Sequence, residues 1–441
     1  MMEKTVKILK VIHGYPLRFN AGSEVYSQTL CRELTRRHEV QVFTRSENPF
    51  IPDYLLREEK DTDILLKVIN LPLEKHRYRY SHAKIDSQFE QLLKRFQPDI
   101  VHIGHLNHLS LTLVNTIPFS TPIIYTLHDY WLICPRGQFI QRQNTQDLWA
   151  LCDKQKDQEC ALHCYSGYFS GLEKELQEDV TYWTSWVKRR RECIEKIIER
   201  ITYFICPSQY LLNRFQNDLY ISKEKLIYLD YGFDLNRLKE RKRKKDTAFT
   251  FGYIGTHIPA KGIQLLIPAF SNLEGECKLK IWGRPRDHNT KALKEMIEQL
   301  PKETGKRIEW ISEYDNEHIV KDVLNHVDAI VVPSIWAENS PLVIHEALQA
   351  RVPVITADAG GMSEYIKHRE NGLLFKHRDA EDLSLQMQKF IDDLQLANEI
   401  SKQGYLFSED KNIPSIEGHA SEIEKIYLRA IKEKKRVKHG G

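Results

Sequence analysis

Short runs rich in valine and isoleucine alternate with helix-patterned stretches along the whole chain, and this alternation restricts the fold more than any other feature. Parallel strands cannot be joined by a tight turn; each needs a crossover of about a dozen residues or more, usually a helix. The pattern therefore predicts parallel α/β sheets wound with helices. Val6–Ile12, Val40–Phe43, Ile64–Ile69, Ile100–Ile103, Ile123–Leu127 and Tyr203–Cys206 read as strands of a first half, with helices over Ser23–Arg36 and Ser87–Phe96. Phe249–Ile254, Leu279–Trp282, Ile308–Ile311, Ala329–Val332, Val354–Thr356 and Gly372–Phe375 read as strands of a second. The 441 residues exceed a typical single domain, and 41% hydrophobic content fills two cores.

The predicted organisation is a first doubly wound domain over 1–232, a charged linker over 233–247 and a second domain over 248–413. A closing helix (Glu417 to Lys432) and basic tail occupy 414–441. In such domains ligands bind outside the carboxyl ends of the strands, so the cleft-facing ends are where chemistry is expected. A region from Cys134 to about Trp186 breaks the alternation with polar stretches, clustered aromatics and four cysteines, and reads as an insertion near the acceptor side. Cys134, Cys152, Cys160 and Cys164 are candidates for a structural zinc site, with His163 as a competing ligand. Their spacing lacks the tight Cys-x2-Cys knuckle, so buried thiols or a redox pair remain alternatives.

A formal charge of +3 and a pI of 8.2 carry no signature of nucleic-acid binding. Local basic clusters at Arg189–Arg191, Arg237–Lys245 and Lys432–Lys438 read as solvated surface, or together as a face for anionic membrane. No apolar run approaches the roughly 18 residues of a membrane span, which with reduced cysteines predicts a cytoplasmic protein, peripheral at most on the inner membrane face.

The richest segment runs from Pro333 to Ala347, Pro-Ser-Ile-Trp-Ala-Glu-Asn-Ser-Pro-Leu-Val-Ile-His-Glu-Ala. Ser340 is a preferred N-cap and Pro341 suits the first helical position, so a helix should start there with the N–H groups of Leu342 and Val343 exposed. Those donors, with the positive end of the helix dipole, make an anion site. Glu338 precedes the helix and Glu346 lies on its second turn, placed to accept hydroxyls on either side of a bound diphosphate: a sugar on one, a ribose on the other.

The Glu-x7-Glu spacing, the preceding Val-Pro-Ser and the following Val352-Pro353-Val354-Ile355-Thr356 resemble the signature of family-4 glycosyltransferases, retaining enzymes of GT-B fold. The resemblance implies two Rossmann-like domains facing a cleft, with a C-terminal helix crossing back to the first. It implies that Glu338 contacts the donor sugar and Glu346 the ribose. Phe251-Gly252-Tyr253-Ile254-Gly255-Thr256-His257-Ile258-Pro259-Ala260-Lys261-Gly262 resembles the family's first turn of the nucleotide domain, and makes Lys261 a phosphate ligand. Thr256 stands where the family commonly has arginine, with Arg284 as a candidate substitute. Gly360 and Gly361 match a glycine-rich donor turn. Gly22, in an Ala21-Gly22 pair where the family usually has two glycines, allows close approach of backbone to ligand before a helix capped by Ser23. His128, closing a first-domain strand, is placed beside the donor sugar, with Asp129 completing the turn.

The implied activity is retaining transfer of a sugar from a nucleoside-diphosphate sugar to a hydroxyl of a saccharide or lipid-linked acceptor. No cofactor is expected for catalysis. A nucleotide-sugar epimerase or a non-catalytic carbohydrate-binding or scaffold protein are the alternatives. Asp61-Thr62-Asp63 matches the Asp-x-Asp of metal-dependent transferases of another fold, but it precedes a first-domain strand and reads as a solvated turn.

Overall fold

The structure is a computed structural model that describes residues 5–16, 18–72, 79–243, 248–311 and 313–439. It divides into two compact units, Met1–Gly232 with Ile416–Gly441, and Phe233–Ser415.

The first unit holds an eight-stranded sheet of β1 (Lys7–Val11), β2 (Glu39–Ser46), β3 (Leu56–Asp61), β4 (Ile64–Asn70), β5 (Ile100–Ile103), β6 (Ile123–Thr126), β7 (Tyr203–Cys206) and β8 (Leu226–Tyr228). The order is β3-β4-β2-β1-β5-β6-β7-β8. All pairings are parallel except the antiparallel edge hairpin of β3 with β4. Strands β5, β6 and β7 are buried along their full length and are mainly apolar, interrupted by His102 and Thr126, which hydrogen-bond each other at 2.7 Å. Lys10 on β1 is a buried charge in this sheet, only 1% exposed.

The closing helix, Ile416–His439, belongs to this first unit. Tyr26 and His419 share a hydrogen bond of 2.8 Å, His102 and Tyr427 one of 2.5 Å, and Tyr203 donates to Glu433 at 2.7 Å. Arg37 and His38 both reach Glu424.

The second unit is a six-stranded, wholly parallel sheet of β9 (Phe249–Ile254), β10 (Cys277–Trp282), β11 (Ile308–Trp310), β12 (Ala329–Val332), β13 (Val354–Ala357) and β14 (Gly372–Phe375). Its order, β11-β10-β9-β12-β13-β14, reverses direction between β9 and β12. That reversal is the topological switch point at which such sheets bind ligands.

Several expectations change. Strands β3 and β8 escape a hydrophobic reading, the first because Leu-Arg-Glu-Glu-Lys-Asp is charged, the second because it has three residues. Asp61 is no freely solvated turn: its carboxylate accepts from Tyr15, Gln28 and Arg32, tying the hairpin to the first helix. That helix, Gly22–Leu34, is capped at Ala21 and not at Ser23, whose hydroxyl bonds Glu24 instead. Residues 233–243 are part of the second unit and no free connector, because Arg237 pairs with Glu346, Arg241 donates to the Val327 carbonyl and Arg243 clasps Asp328. The rest of the expected linker, 244–247, lies outside the described residues. The cysteine-bearing insertion folds as short helical turns that run into a long helix, Leu176–Arg200, which continues past Trp186.

Candidate active site

Three loops meet at the carboxyl ends of β9, β12 and β13, and glycines let them touch. Gly262, at φ +75°, ends the turn after β9; a Cβ there would stand 1.8 Å from the Pro333 carbonyl oxygen. Gly360, at φ +59°, begins the turn after β13, and its Cβ would meet the Glu338 carbonyl oxygen at 2.6 Å. Side chains at either place would force the loops apart. Backbone bonds from Ile335 to Ala260 (3.0 Å) and from Gly361 to Glu338 (2.8 Å) fix the approach.

Within this frame Lys261 Nζ lies 2.7 Å from Glu338 Oε2, and the Ser334 hydroxyl donates to Oε1 of the same carboxylate. Glu338 is nearly buried, while Lys261 stays partly open to solvent. A desolvated carboxylate costs several kcal/mol unless it is paired and hydrogen-bonded, and here it is both. The negative field of Glu338 adds to burial in holding the Tyr253 phenol well above its ordinary range.

The helix Leu342–Gln349 starts one residue later than Ser340 predicts. Pro341 is the cap, its carbonyl accepting from Ile344, and the buried Ser340 hydroxyl has no partner among the described residues. Proline has no N–H to lose and presents its carbonyl to the first turn, so the serine is not recruited. No acceptor among the described residues engages the N–H of Leu342 or Val343, which keeps the anion-binding geometry of a helix start. Glu346, on this helix, pairs with Arg237 at 2.6 Å, and Arg237 also donates to the Asn316 carbonyl. Arg284 is held on Glu313 at 2.9 Å; no contact among the described residues joins it to Lys261 or Glu338. The structure thus gathers Lys261, Glu338, Gly360 and Gly361 and leaves Arg284 outside the group.

In the first unit, the strand-end prediction places His128 just after β6. Its Nδ1 is 2.6 Å from the Tyr231 hydroxyl, with the two rings stacked. Burial, then the nearby Lys10 and His105, hold its pKa well below the usual imidazole value, so the ring is neutral at pH 7. A cluster that sequence reasoning missed surrounds it. His13, after β1, packs against His105, after β5, with tilted rings whose centroids are 4.4 Å apart, and its Nε2 is 3.4 Å from Glu24. Asn107 N–H donates to His105 Nδ1, which leaves Nε2 to donate to Asp129 at 3.2 Å. The signal available was the same carboxyl-end rule that selected His128. Gly22 opens the helix that carries Glu24.

The four insertion cysteines are free thiols lining a single small cavity. Among the described residues, no three His, Cys, Asp or Glu side chains are drawn together tightly enough to hold a metal ion as they stand. Also among them, no helix is long and apolar enough to cross a membrane.

Comparison with known proteins agrees with this architecture. The model of Glycosyltransferase Family 4 matches residues 21–237, and that of Glycosyl transferases group 1 matches residues 235–407. An uncharacterized glycosyltransferase of Methanocaldococcus jannaschii is 25% identical over 205 residues, 46% of this chain and 54% of that protein. TuaC of Bacillus subtilis, a glycosyltransferase named for teichuronic acid biosynthesis, is 33% identical over 135 residues, 30% of each chain. The matched stretches therefore span about half of the first relative and less than a third of the second. Among solved structures, sucrose-phosphate synthase of Thermosynechococcus elongatus superposes with a TM-score of 0.72 at 16% identity, covering 97% of this chain and 99% of that one. Anabaena HepE, solved with UDP and glucose, gives 0.64 at 16% identity, covering 96% and 100%. Two family models that abut at the seam between the units, on a pair of parallel α/β sheets shared with these structures, lead to one conclusion: the chain is a glycosyltransferase of family 4, group 1, with the GT-B fold.

Proposed function

We propose that this glycosyltransferase is a retaining enzyme that moves a sugar from a nucleoside diphosphate to a hydroxyl of a saccharide or lipid-linked acceptor, in polysaccharide or glycoconjugate assembly. The observation that carries the reading is the Lys261–Glu338 pair, set beside a helix start with two unengaged N–H donors. The diphosphate sits on the N–H groups of Leu342 and Val343, with Ser340 beside them and Gly360 and Gly361 leaving room for the donor. Lys261 stabilises the charge that grows on the leaving phosphate, where an ammonium in a partly desolvated site acts far more strongly than in water. Glu338 accepts hydrogen bonds from the sugar and Glu346 from the ribose. As the bond to the anomeric carbon breaks, an oxygen of the departing diphosphate takes the acceptor's proton on the same face. No nucleophilic carboxylate is then needed, in contrast to retaining glycosidases. His128 contributes a neutral imidazole steadied by Tyr231.

HepE was solved with UDP-glucose, which supports a nucleotide-sugar donor, and TuaC is named for teichuronic acid biosynthesis, which supports a glycan product for this chain. The enzyme works in the cytoplasm. Peripheral contact with an anionic membrane uses the end of the closing helix, where Lys432, Lys435 and Arg436 flank Leu428 and Ile431.

The test is a thermal-shift screen against UDP-, GDP- and ADP-sugars, since a ligand at a hundred times its Kd adds about 2.7 kcal/mol of stability. The donor that stabilises is then followed by NMR with and without acceptor. Release of diphosphate with retained anomeric configuration supports the proposal; no stabilisation by any donor, or conversion of the sugar without acceptor, overturns it.

A further inference from the structure

We propose that Cys134, Cys152, Cys160 and Cys164 bind one zinc ion that staples the insertion of the first unit. The four come from three separate pieces of chain yet line one cavity of about 10 Å3, close to the space that a single water-sized sphere needs. Cys134 opens a turn closed by the Gly137 N–H on its carbonyl. Cys152 follows the isolated antiparallel bridge of Ile140 with Leu151 and donates its N–H to the Phe139 carbonyl. Cys160 and Cys164 are four apart on consecutive helical segments, which sets both on one face.

The charge around the cavity calls for an anion. A zinc ion with four thiolates carries a formal charge of about −2. Arg136 and Lys154 line the cavity, and no acid does. Arg136 and Arg142 lie within electrostatic reach of Cys164, and Arg190 within reach of Cys134. Among the described residues none of the three guanidiniums is ion-paired to a carboxylate, although Arg190 is 1% exposed and its Nη1 has no partner at all. Stacking of Arg190 on Trp131, 4.5 Å away, does not neutralise it. The Phe139 N–H pointing at Cys134 Sγ (3.4 Å) is the kind of donor that tunes a metal thiolate.

The insertion also needs a staple. Between Cys134 and Tyr168 the backbone forms short helical turns and one isolated bridge, and besides the cysteines its buried apolar residues are Phe139, Ile140, Ala150, Ala161 and Tyr165, the last two packed with Trp183 and Val187 of the following helix. So few apolar residues rarely order a segment of this length without a cross-link or a metal. Zinc–sulfur bonds are about 2.3 Å.

The experiment is metal analysis of the full chain purified under reducing conditions without chelator. We expect about one zinc per chain that survives dialysis, a gain in thiol reactivity at Cys152 and Cys160 when zinc is stripped, and loss of the metal in the Cys134→Ser, Cys164→Ser double variant. Should that variant fail to fold, cobalt titrated into reduced, metal-free wild type replaces it. Thiolate-to-cobalt charge transfer with tetrahedral d–d absorption supports the site. Its absence, with no zinc bound, overturns the proposal. So does disulfide bonding among the four in the isolated protein with no zinc uptake after reduction.

Discussion

Lys261 and Glu338, from loops after two different strands, meet as an ion pair of 2.7 Å at the switch point of the second unit. The carboxylate is nearly buried and the ammonium is not, so the lysine is the member able to swing toward an incoming phosphate. Replacing Glu338 by alanine is expected to cut turnover at least tenfold, about 1.4 kcal/mol in the barrier. Steady-state kinetics on a defined donor measures it; unchanged turnover removes Glu338 from the site.

Lys261→Ala acts differently. It should weaken binding of the free nucleoside diphosphate, read by calorimetry, by at least tenfold, about 1.4 kcal/mol. Equal affinity in variant and wild type would sink the phosphate role.

Glu346 and Arg237 form a more deeply buried pair, 5% and 12% exposed. Arg237→Ala strands a carboxylate in the second unit, and breaking such a pair costs about 3–5 kcal/mol. Denaturant titration should show this loss, and a second change, Glu346→Gln, should restore much of it by removing the orphaned charge.

Glycines provide a matched contrast. Gly262→Ala places a Cβ 1.8 Å from the Pro333 carbonyl oxygen at a φ of +75°, whereas Gly171, at +81°, has nothing within 4 Å of its Cβ. Gly171→Ala should cost about 1–2 kcal/mol, the left-handed penalty alone. Gly262→Ala should cost clearly more and reduce donor binding as well. Similar melting temperatures for the two would refute the loop contact.

Two buried groups, His419 on the closing helix and Lys10 on β1, predict the acid and alkaline edges of a pH profile. Burial holds His419 down at about 4, against 6.5 unfolded. The unfolded chain therefore binds the extra proton between those values, and stability from this site is full above pH 6.5 and lost as pH falls toward 4. Burial likewise lowers Lys10 from 10.5 to about 8. Charging it in the fold is penalised below pH 8, and the penalty fades as pH rises toward 10.5, by at most about 3 kcal/mol. Lys10→Met should stabilise the protein at pH 7, with the advantage shrinking above pH 8. Denaturation of both proteins across pH 5–10 checks this, and a gain that stays constant with pH would refute it.

Much of this was legible in sequence because burial on both faces writes parallel strands as plain apolar runs, and because Ser334, Glu338 and Lys261 sit in short loops whose ends the strands fix. Contacts between distant segments were not legible. The arginines of 233–243 look like solvated linker until each is seen on its acid or carbonyl. His13, Glu24, His105 and Asp129 look unremarkable singly, since the contact that joins them, His13 with His105, is between distant segments and leaves no periodicity. Ser340 misled because local preference named a serine cap where the proline carbonyl does the task.

The return of residues 416–439 to the first unit also sets an order of events during synthesis. A ribosome delivers the amino-terminal segment first, yet the helix that covers Tyr26 and His102 emerges only after all of 233–415 has been made. The first sheet to be translated is consequently the last to be sealed, and a nascent chain arrested before residue 416 should present this patch to chaperones.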